Sequence, residues 1–168
     1  ADTFDEDSER RDLTINAMGM NSKGEVIDPQ GGLEDLQKGV IRAVGDPTRR
    51  FVEDPLRMIR AIRFSVRFEL PIDDETYQAI VSNADLVSTL SGRRLRDEIG
   101  KVLVEPNGYK LLMETGVLPV LMPEFRGMEQ YQHKLDYHPE GSLYNHYIEV
   151  FREFTTILNR TEMGAWAL

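Results

Sequence analysis

The side chains best suited to chemistry lie in Asp54-Pro55-Leu56-Arg57-Met58-Ile59-Arg60-Ala61-Ile62-Arg63-Phe64. At about 100° per residue, Met58, Ile59, Ile62 and Val66 fall on one face, while Asp54, Arg57, Arg60 and Arg63 step round the other in threes. An Asp and an Arg one helical turn apart can read a nucleobase. Cytosine and adenine each present an exocyclic amino donor beside an unprotonated ring nitrogen, so a carboxylate accepts from the first and a guanidinium donates to the second. Uracil and guanine present a carbonyl beside a ring N–H and leave both protein groups mispaired. Mispairing of buried groups discriminates by several powers of ten. The simpler reading is a solvated face with a local Asp54–Arg57 ion pair, which contributes only a few tenths of a kcal/mol. Arginines at 57, 60, 63 and 67 without interleaved acids weigh against it. They repel one another unless an anion lies among them, and a triphosphate or an RNA backbone is the obvious one.

Positioning these residues calls for a helix over about 48–67, in which Asp54-Pro55 can also mark the start of a new helical segment. Further helices are predicted over about 73–84, 91–104, 107–115 and 145–160, with Asp73-Asp74 and Ser91 as N-caps. Their breaks are Leu70-Pro71, Ser91-Gly92, Glu105-Pro106-Asn107-Gly108, Gly116 and Met122-Pro123. Upstream, Asp7 or Ser8 can cap a short helix through Ala17. Residues 18–20 and 25–27 flank the turn cluster Asn21-Ser22-Lys23-Gly24 as a small hairpin. Leu33 to Lys38 reads as a turn or two of helix closed by Gly39, and Val40 to Val44 alternates like a short strand. Residues 126–144 are the least regular stretch and read as a linker or an extended loop. The fold class expected is α+β, predominantly α.

The chain has 168 residues, 40% hydrophobic and 29% charged, within the soluble globular range. No apolar run approaches the roughly 18 residues that span a bilayer, and no partner membrane is expected. There is no cysteine, so disulfides and thiolate metal sites are excluded, which fits a reducing, cytoplasmic setting. The net charge of −9 is the wrong sign for a nucleic-acid partner, but it is unevenly spread. Residues 1–12 hold six acids, whereas residues 42–67 hold seven arginines against Asp46, Glu53 and Asp54. The average hides a basic stripe. The acidic start at Ala1 and the apolar run at 163–168 suggest an internal segment of a longer protein.

Glu53-Asp54-Pro55-Leu56-Arg57 followed by Arg60, Arg63 and Phe64 resembles the EDxxRxxRxxRF element of the class II tRNA nucleotidyltransferases, the CCA-adding enzymes, and of the related bacterial poly(A) polymerases. Arg10-Arg11-Asp12-Leu13-Thr14-Ile15-Asn16-Ala17 is similar to the family's RRDFTINA block. Asp28-Pro29 with Gly31-Gly32-Leu33-Glu34-Asp35-Leu36 and Ile41-Arg42 resembles the block linking head to neck. Ser91-Gly92-Arg93-Arg94-Leu95-Arg96-Asp97-Glu98 resembles the next neck helix. The four blocks stand in the family's order and cover most of residues 5–125.

The resemblance implies a C-terminal part of a nucleotidyltransferase head and hinge at 1–46, a helical neck at 47–125, and a linker and the start of an HD-type helical domain at 126–168. It implies that Arg11 contacts the phosphates or sugar of an incoming nucleotide, with Asp12 bracing the ribose region. Asp54 and Arg57 would be the protein template for the CTP or ATP base, supported by Arg60 and Arg63. For Arg10, Asp12 and Arg67 a structural salt bridge is an equal alternative. The implied partners are the tRNA 3′ end, CTP and ATP, and the implied cofactor is Mg2+. The family's metal-binding DxD element should precede residue 1. Asp5-Glu6-Asp7 spells D-x-D but lacks the apolar strand and glycine-rich turn around it, so no catalytic residue is assigned within this chain, and the piece is expected to be inert alone. His138-Pro139-Glu140-Gly141-Ser142-Leu143-Tyr144-Asn145-His146 resembles the beginning of an HD phosphohydrolase domain, with His146 as first ligand of a second divalent metal. The alternatives kept open are a poly(A) polymerase, an enzyme adding only C or only A, and a non-catalytic RNA-binding or HD-phosphohydrolase module.

Overall fold

A computed structural model describes residues 3–131, 141–150 and 152–153. The architecture is α+β and predominantly helical, as expected. Helix α1 (Phe4–Glu9) is capped by Thr3, whose hydroxyl accepts from Glu6 N. The chain then tightens into a 3-10 turn at Thr14–Asn16, rather than running helically to Ala17. Helix α1 has ended at Glu9, and beyond it the Asp12 side chain turns back to accept from Leu13 N at 2.9 Å, the local competition with helix that short carboxylates offer. Strands β1 (Gly19–Met20) and β2 (Val26–Ile27) pair antiparallel across the expected hairpin.

Helix α2 (Gly32–Lys38) is closed by Gly39 in the left-handed conformation. Its first amides are satisfied by Asp28, which accepts from Gly32 N and Leu33 N at 2.8 Å each. Gly32 itself lies against the 3-10 turn so closely that a Cβ would stand 2.2 Å from the Thr14 carbonyl oxygen. Thr14 and Arg42 both donate to the buried Asp35 of this helix. Segment 40–44 is not a regular strand. It is a strap whose hydrogen bonds go to two different neighbours: Thr14 N to Arg42 O and Val44 N to Asp12 O on one side, Ile41 N to Pro71 O and Asp73 N to Ile41 O on the other. Only the isolated bridges Leu13–Ala43 and Ile41–Ile72 result.

The expected helix over 48–67 is two helices, α3 (Pro47–Glu53) and α4 (Leu56–Phe68). Pro55 has no N–H to donate and forces Asp54 into extended backbone, with φ −147° and ψ 101°. Asp46 caps α3 by accepting from Arg49 N. Helix α5 (Asp74–Asn83) is capped by Asp73 onto Thr76 N. A 3-10 stretch at Ala84–Thr89 leads to α6 (Gly92–Leu103), α7 (Gly108–Glu114) and α8 (Val117–Leu121). Residues 143–150 are helical, where the helix was expected from 145. The rest of that helix and most of the expected linker lie outside the described residues.

The core is built around α4. Met58, Ile59, Ala61 and Ile62 are fully buried, with Phe51 of α3, Ile80 of α5, Val102 of α6 and Leu112 of α7. The apolar face is the one the sequence spacing marks, and its burial leaves Arg57 and Arg60 turned toward residues 10–12. Gly32→Ala should lower the stability of the chain by about 1–3 kcal/mol in urea unfolding, because the methyl group meets backbone that cannot yield. Gly100→Ala in α6, where the same atom meets nothing within 4 Å, should be neutral or stabilising by up to about 1 kcal/mol.

Candidate functional site

A cleft of about 500 Å³ opens where the loop after α1 meets α4 and the start of α6, lined by Arg10, Arg11, Asp12, Asn16, Asp54, Leu56, Arg57, Arg60, Phe64 and Arg94. Five of the residues assigned from the sequence, Arg11, Asp12, Asp54, Arg57 and Arg60, are brought together here from positions up to 49 apart. The sixth, Arg63, is not among the lining residues. It faces Glu98 of α6 at 3.1 Å, largely buried, with its guanidinium 4.6 Å from the centre of the Phe64 ring.

Asp54 and Arg57 both line the cleft but do not pair through their side chains. The Asp54 carboxylate accepts from Leu56 N at 3.1 Å and from the Arg94 guanidinium at 3.2 Å. Arg57 donates to Glu53 at 3.1 Å, to the Arg50 carbonyl at 3.3 Å and to the Arg10 carbonyl at 3.1 Å. The local ion pair of the simpler reading is therefore replaced by bonds to other segments. A guanidinium bonded to two backbone carbonyls and a carboxylate holds one orientation, which is what a reader of hydrogen-bond patterns requires.

The expectation that the arginine row needs an external anion is corrected here. Arg57 meets Glu53, Arg60 meets Asp12 at 2.5 Å, and Arg63 meets Glu98. Protein carboxylates already compensate three of the four arginines of the row, whereas Arg67 is exposed and no carboxylate pairs with it among the described residues. Asp12 is buried and fully engaged, taking Leu13 N and the Asn16 amide on one oxygen and Arg60 on the other. The structural salt bridge kept as its alternative is thus present. Glu53 gathers Arg49, Arg50 and Arg57. Burial opposes its ionisation, but the hydrogen bond from Arg57 and the charges of Arg50 and Arg49 outweigh it and hold its carboxyl below the ordinary value of 4.5.

Asp7 belongs to this positioning apparatus. One oxygen accepts from Arg10 at 2.8 and 2.6 Å, the other from Arg11 at 3.0 and 2.6 Å. Its pKa is lowered from 3.8, mainly by Arg11 and then by Arg10. A carboxylate forked onto two guanidiniums is poorly disposed to coordinate a cation. Asp12 and Asp54 are likewise engaged, so the carboxylates present here do not fit a divalent-metal site. No cluster of three His, Asp or Glu able to hold a metal occurs among the described residues. His146 lies at the start of the last described helix, edge-on to Tyr147. His138, which precedes it in the same motif, lies outside the described residues.

Arg94, Asn16 and Phe64 line the cleft without having been assigned a role from the sequence, and Arg10, for which contact and salt bridge were left open, lines it while paired with Asp7. Arg94 stands 40 positions from Asp54, and no periodicity signals a partnership over that distance. Its only trace was its place in the Ser91–Glu98 block.

Two family models match the chain: the poly A polymerase head domain over residues 1–42, and the probable RNA and SrmB-binding site of polymerase A over residues 69–128. The chain belongs to the poly A polymerase family that these two models describe, the family that its four sequence blocks resemble. Among its curated relatives, the CCA-adding enzyme of Lactobacillus helveticus is 40% identical over 130 residues, covering 76% of this chain and 32% of the relative. That of Limosilactobacillus reuteri is 46% identical over 118 residues, covering 68% and 29%. The Bacillus stearothermophilus CCA-adding enzyme in complex with CTP superposes with a TM-score of 0.72 at 39% identity, over 77% of this chain and 33% of that one. The Thermotoga maritima enzyme complexed with tRNA gives 0.63 at 37%, over 73% and 32%. The chain thus spans about a third of the length of the relatives it matches.

The lowered pKa of Asp7 carries a sign. Its stabilising grip on Arg10 and Arg11 is present above the ordinary value of 3.8 and is lost as pH falls through the lower folded value. The Nε–H resonances of Arg10 and Arg11 should therefore stay constant from neutral pH down to that range and move together below it. In Asp7→Asn they should sit at the released positions at every pH.

Proposed function

We propose that this chain is the nucleotide-recognising part of a tRNA nucleotidyltransferase that adds CCA to tRNA 3′ ends from CTP and ATP. The observation that carries the reading is the convergence of Asp54, Arg57, Arg60, Arg11 and Asp12 on one cleft, in a chain whose matched relatives are CCA-adding enzymes. In this reading Asp54 accepts from the amino group of cytosine or adenine, and Arg57 donates to the adjacent ring nitrogen. Arg11 and Arg10 face the triphosphate, whose charge suits five lining arginines against two aspartates. Asp12 acts through Arg60, holding it at the rim, and Arg63 acts from behind, through Phe64 and Glu98.

The tRNA 3′-hydroxyl oxygen would attack the α-phosphorus as the bond to the β-phosphate oxygen breaks and pyrophosphate leaves. Mg2+ supplies charge neutralisation in such transfers. The carboxylates at the cleft do not fit it, so we assign its ligands to residues outside the chain and route no step through it here. The division into head and hinge (1–46), neck (47–125) and linker with HD-type start (126–168) belongs to the same proposal, as does His146 as first ligand of a second metal. Reactants of this kind accord with the cytoplasm, and among the described residues no helix is long and apolar enough to cross a membrane.

In the complete enzyme, Arg57→Ala should lower the preference for CTP and ATP over UTP and GTP by about 100-fold or more, the loss expected when a donor that reads the base is removed. Competition assays on tRNA lacking CCA measure this directly, and an unchanged preference overturns the template role. The 168-residue chain by itself should show no incorporation of labelled CTP.

A further inference from the structure

Arg50 is mostly buried, at 11% side-chain exposure, and does not line the cleft between Arg11 and Arg94. Its guanidinium nevertheless reaches two parts of it. One terminal nitrogen donates to Glu53 at 2.6 Å, and the other donates to the Arg11 carbonyl at 2.8 Å. Glu53 in turn accepts from Arg57 on that same oxygen, and Arg57 donates to the carbonyl of Arg10. Two guanidiniums from α3 and α4 therefore grip two successive carbonyls of the loop whose side chains are Arg10 and Arg11, with Glu53 tying the two grips together. Burial, followed by the nearby charge of Arg57, pushes the Arg50 pKa down from its ordinary value. The group is kept here at an electrostatic cost, and a solvated surface cation would have none.

We infer that Arg50 is a positioning residue that couples the phosphate-facing loop at Arg10 and Arg11 to the base-facing guanidinium of Arg57, so that triphosphate and base are registered against each other. The inference rests on the proposed nucleotide reading of the cleft. Arginine is the residue for this task, because a planar fork spans an acid and a carbonyl at once, whereas a lysine ammonium is a single point. Arg57 holds the Arg10 carbonyl and Arg50 the next one, at Arg11, so both peptides that carry the phosphate-facing side chains are tied to the helices that carry the base reader.

The test uses the complete enzyme carrying this chain, with Arg50→Met and Arg50→Lys. Both should raise KM for CTP and for ATP by about tenfold while kcat changes less than about threefold, the pattern of lost binding geometry. Both should also weaken discrimination against UTP and GTP, and Lys should not rescue. Arg50→Met with wild-type KM and selectivity overturns the inference, as does full rescue by Lys or a fall in thermal stability and kcat alone. Should Arg50→Met fail to fold by circular dichroism, Glu53→Gln cuts the same link from the other side and is judged by the same outcomes. Arg57→Ala run in parallel separates the two claims. Unchanged selectivity there overturns the base-reading proposal, whereas selectivity lost there but kept in Arg50→Met, with wild-type KM, overturns the coupling alone.

Discussion

Helix α4 is buried along its whole apolar side, and on its other side Arg57, Arg60 and Arg63 find carboxylates in three separate segments. Glu53 comes from the preceding helix, Asp12 from the loop after α1, and Glu98 from α6. Removing one partner from a buried pair such as Arg63–Glu98 typically costs about 3–5 kcal/mol, since the surviving charge is left without compensation, whereas Glu53 and Arg60 are partly exposed and their pairs contribute less. Each pair therefore fixes a tertiary contact as well as a charge balance. The row of cations that looks repulsive along one helix becomes the set of fasteners that draws the loop at residues 10–12 and helices α3 and α6 onto α4.

The same fasteners make the cleft. The bonds that hold residues 10–12 against α4 place Arg10 and Arg11 beside Asp54 and Arg57, so folding and site assembly are one event. The local balance of arginine over aspartate survives within a chain of net charge −9, which matters because steering of a phosphate ligand depends on the local field. The acidic start of the chain is part of this economy. Asp7 orients both arginines of the loop, and its neighbours Asp5 and Glu6 sit in the first turn of α1, where acids complement the helix dipole.

Much of the secondary structure was legible. The hairpin followed from a four-residue turn cluster between short apolar pairs, α5 from an Asp73 cap, and the buried face of α4 from its period. The failures have identifiable causes. Helix 48–67 is broken because Pro55 cannot donate, and the extended Asp54 that results is what lets its carboxylate face the cleft. Segment 40–44 has a strand's alternation, but its hydrogen bonds are divided between residues 12–14 and 71–73, a choice that depends on which segments arrive beside it.

The sequence by itself determined which side chains could read a base, which face of α4 is buried and which family's blocks are present, because periodicity and motif are local or ordered along the chain. Only the tertiary structure decided the partners. That Arg60 meets Asp12 from 48 positions away, that Arg94 rather than Arg57 meets Asp54, and that Arg63 turns to Glu98 instead of the cleft are outcomes of packing. Ion pairing is set by distance and desolvation in three dimensions, and neither quantity is encoded in the spacing of residues along one helix.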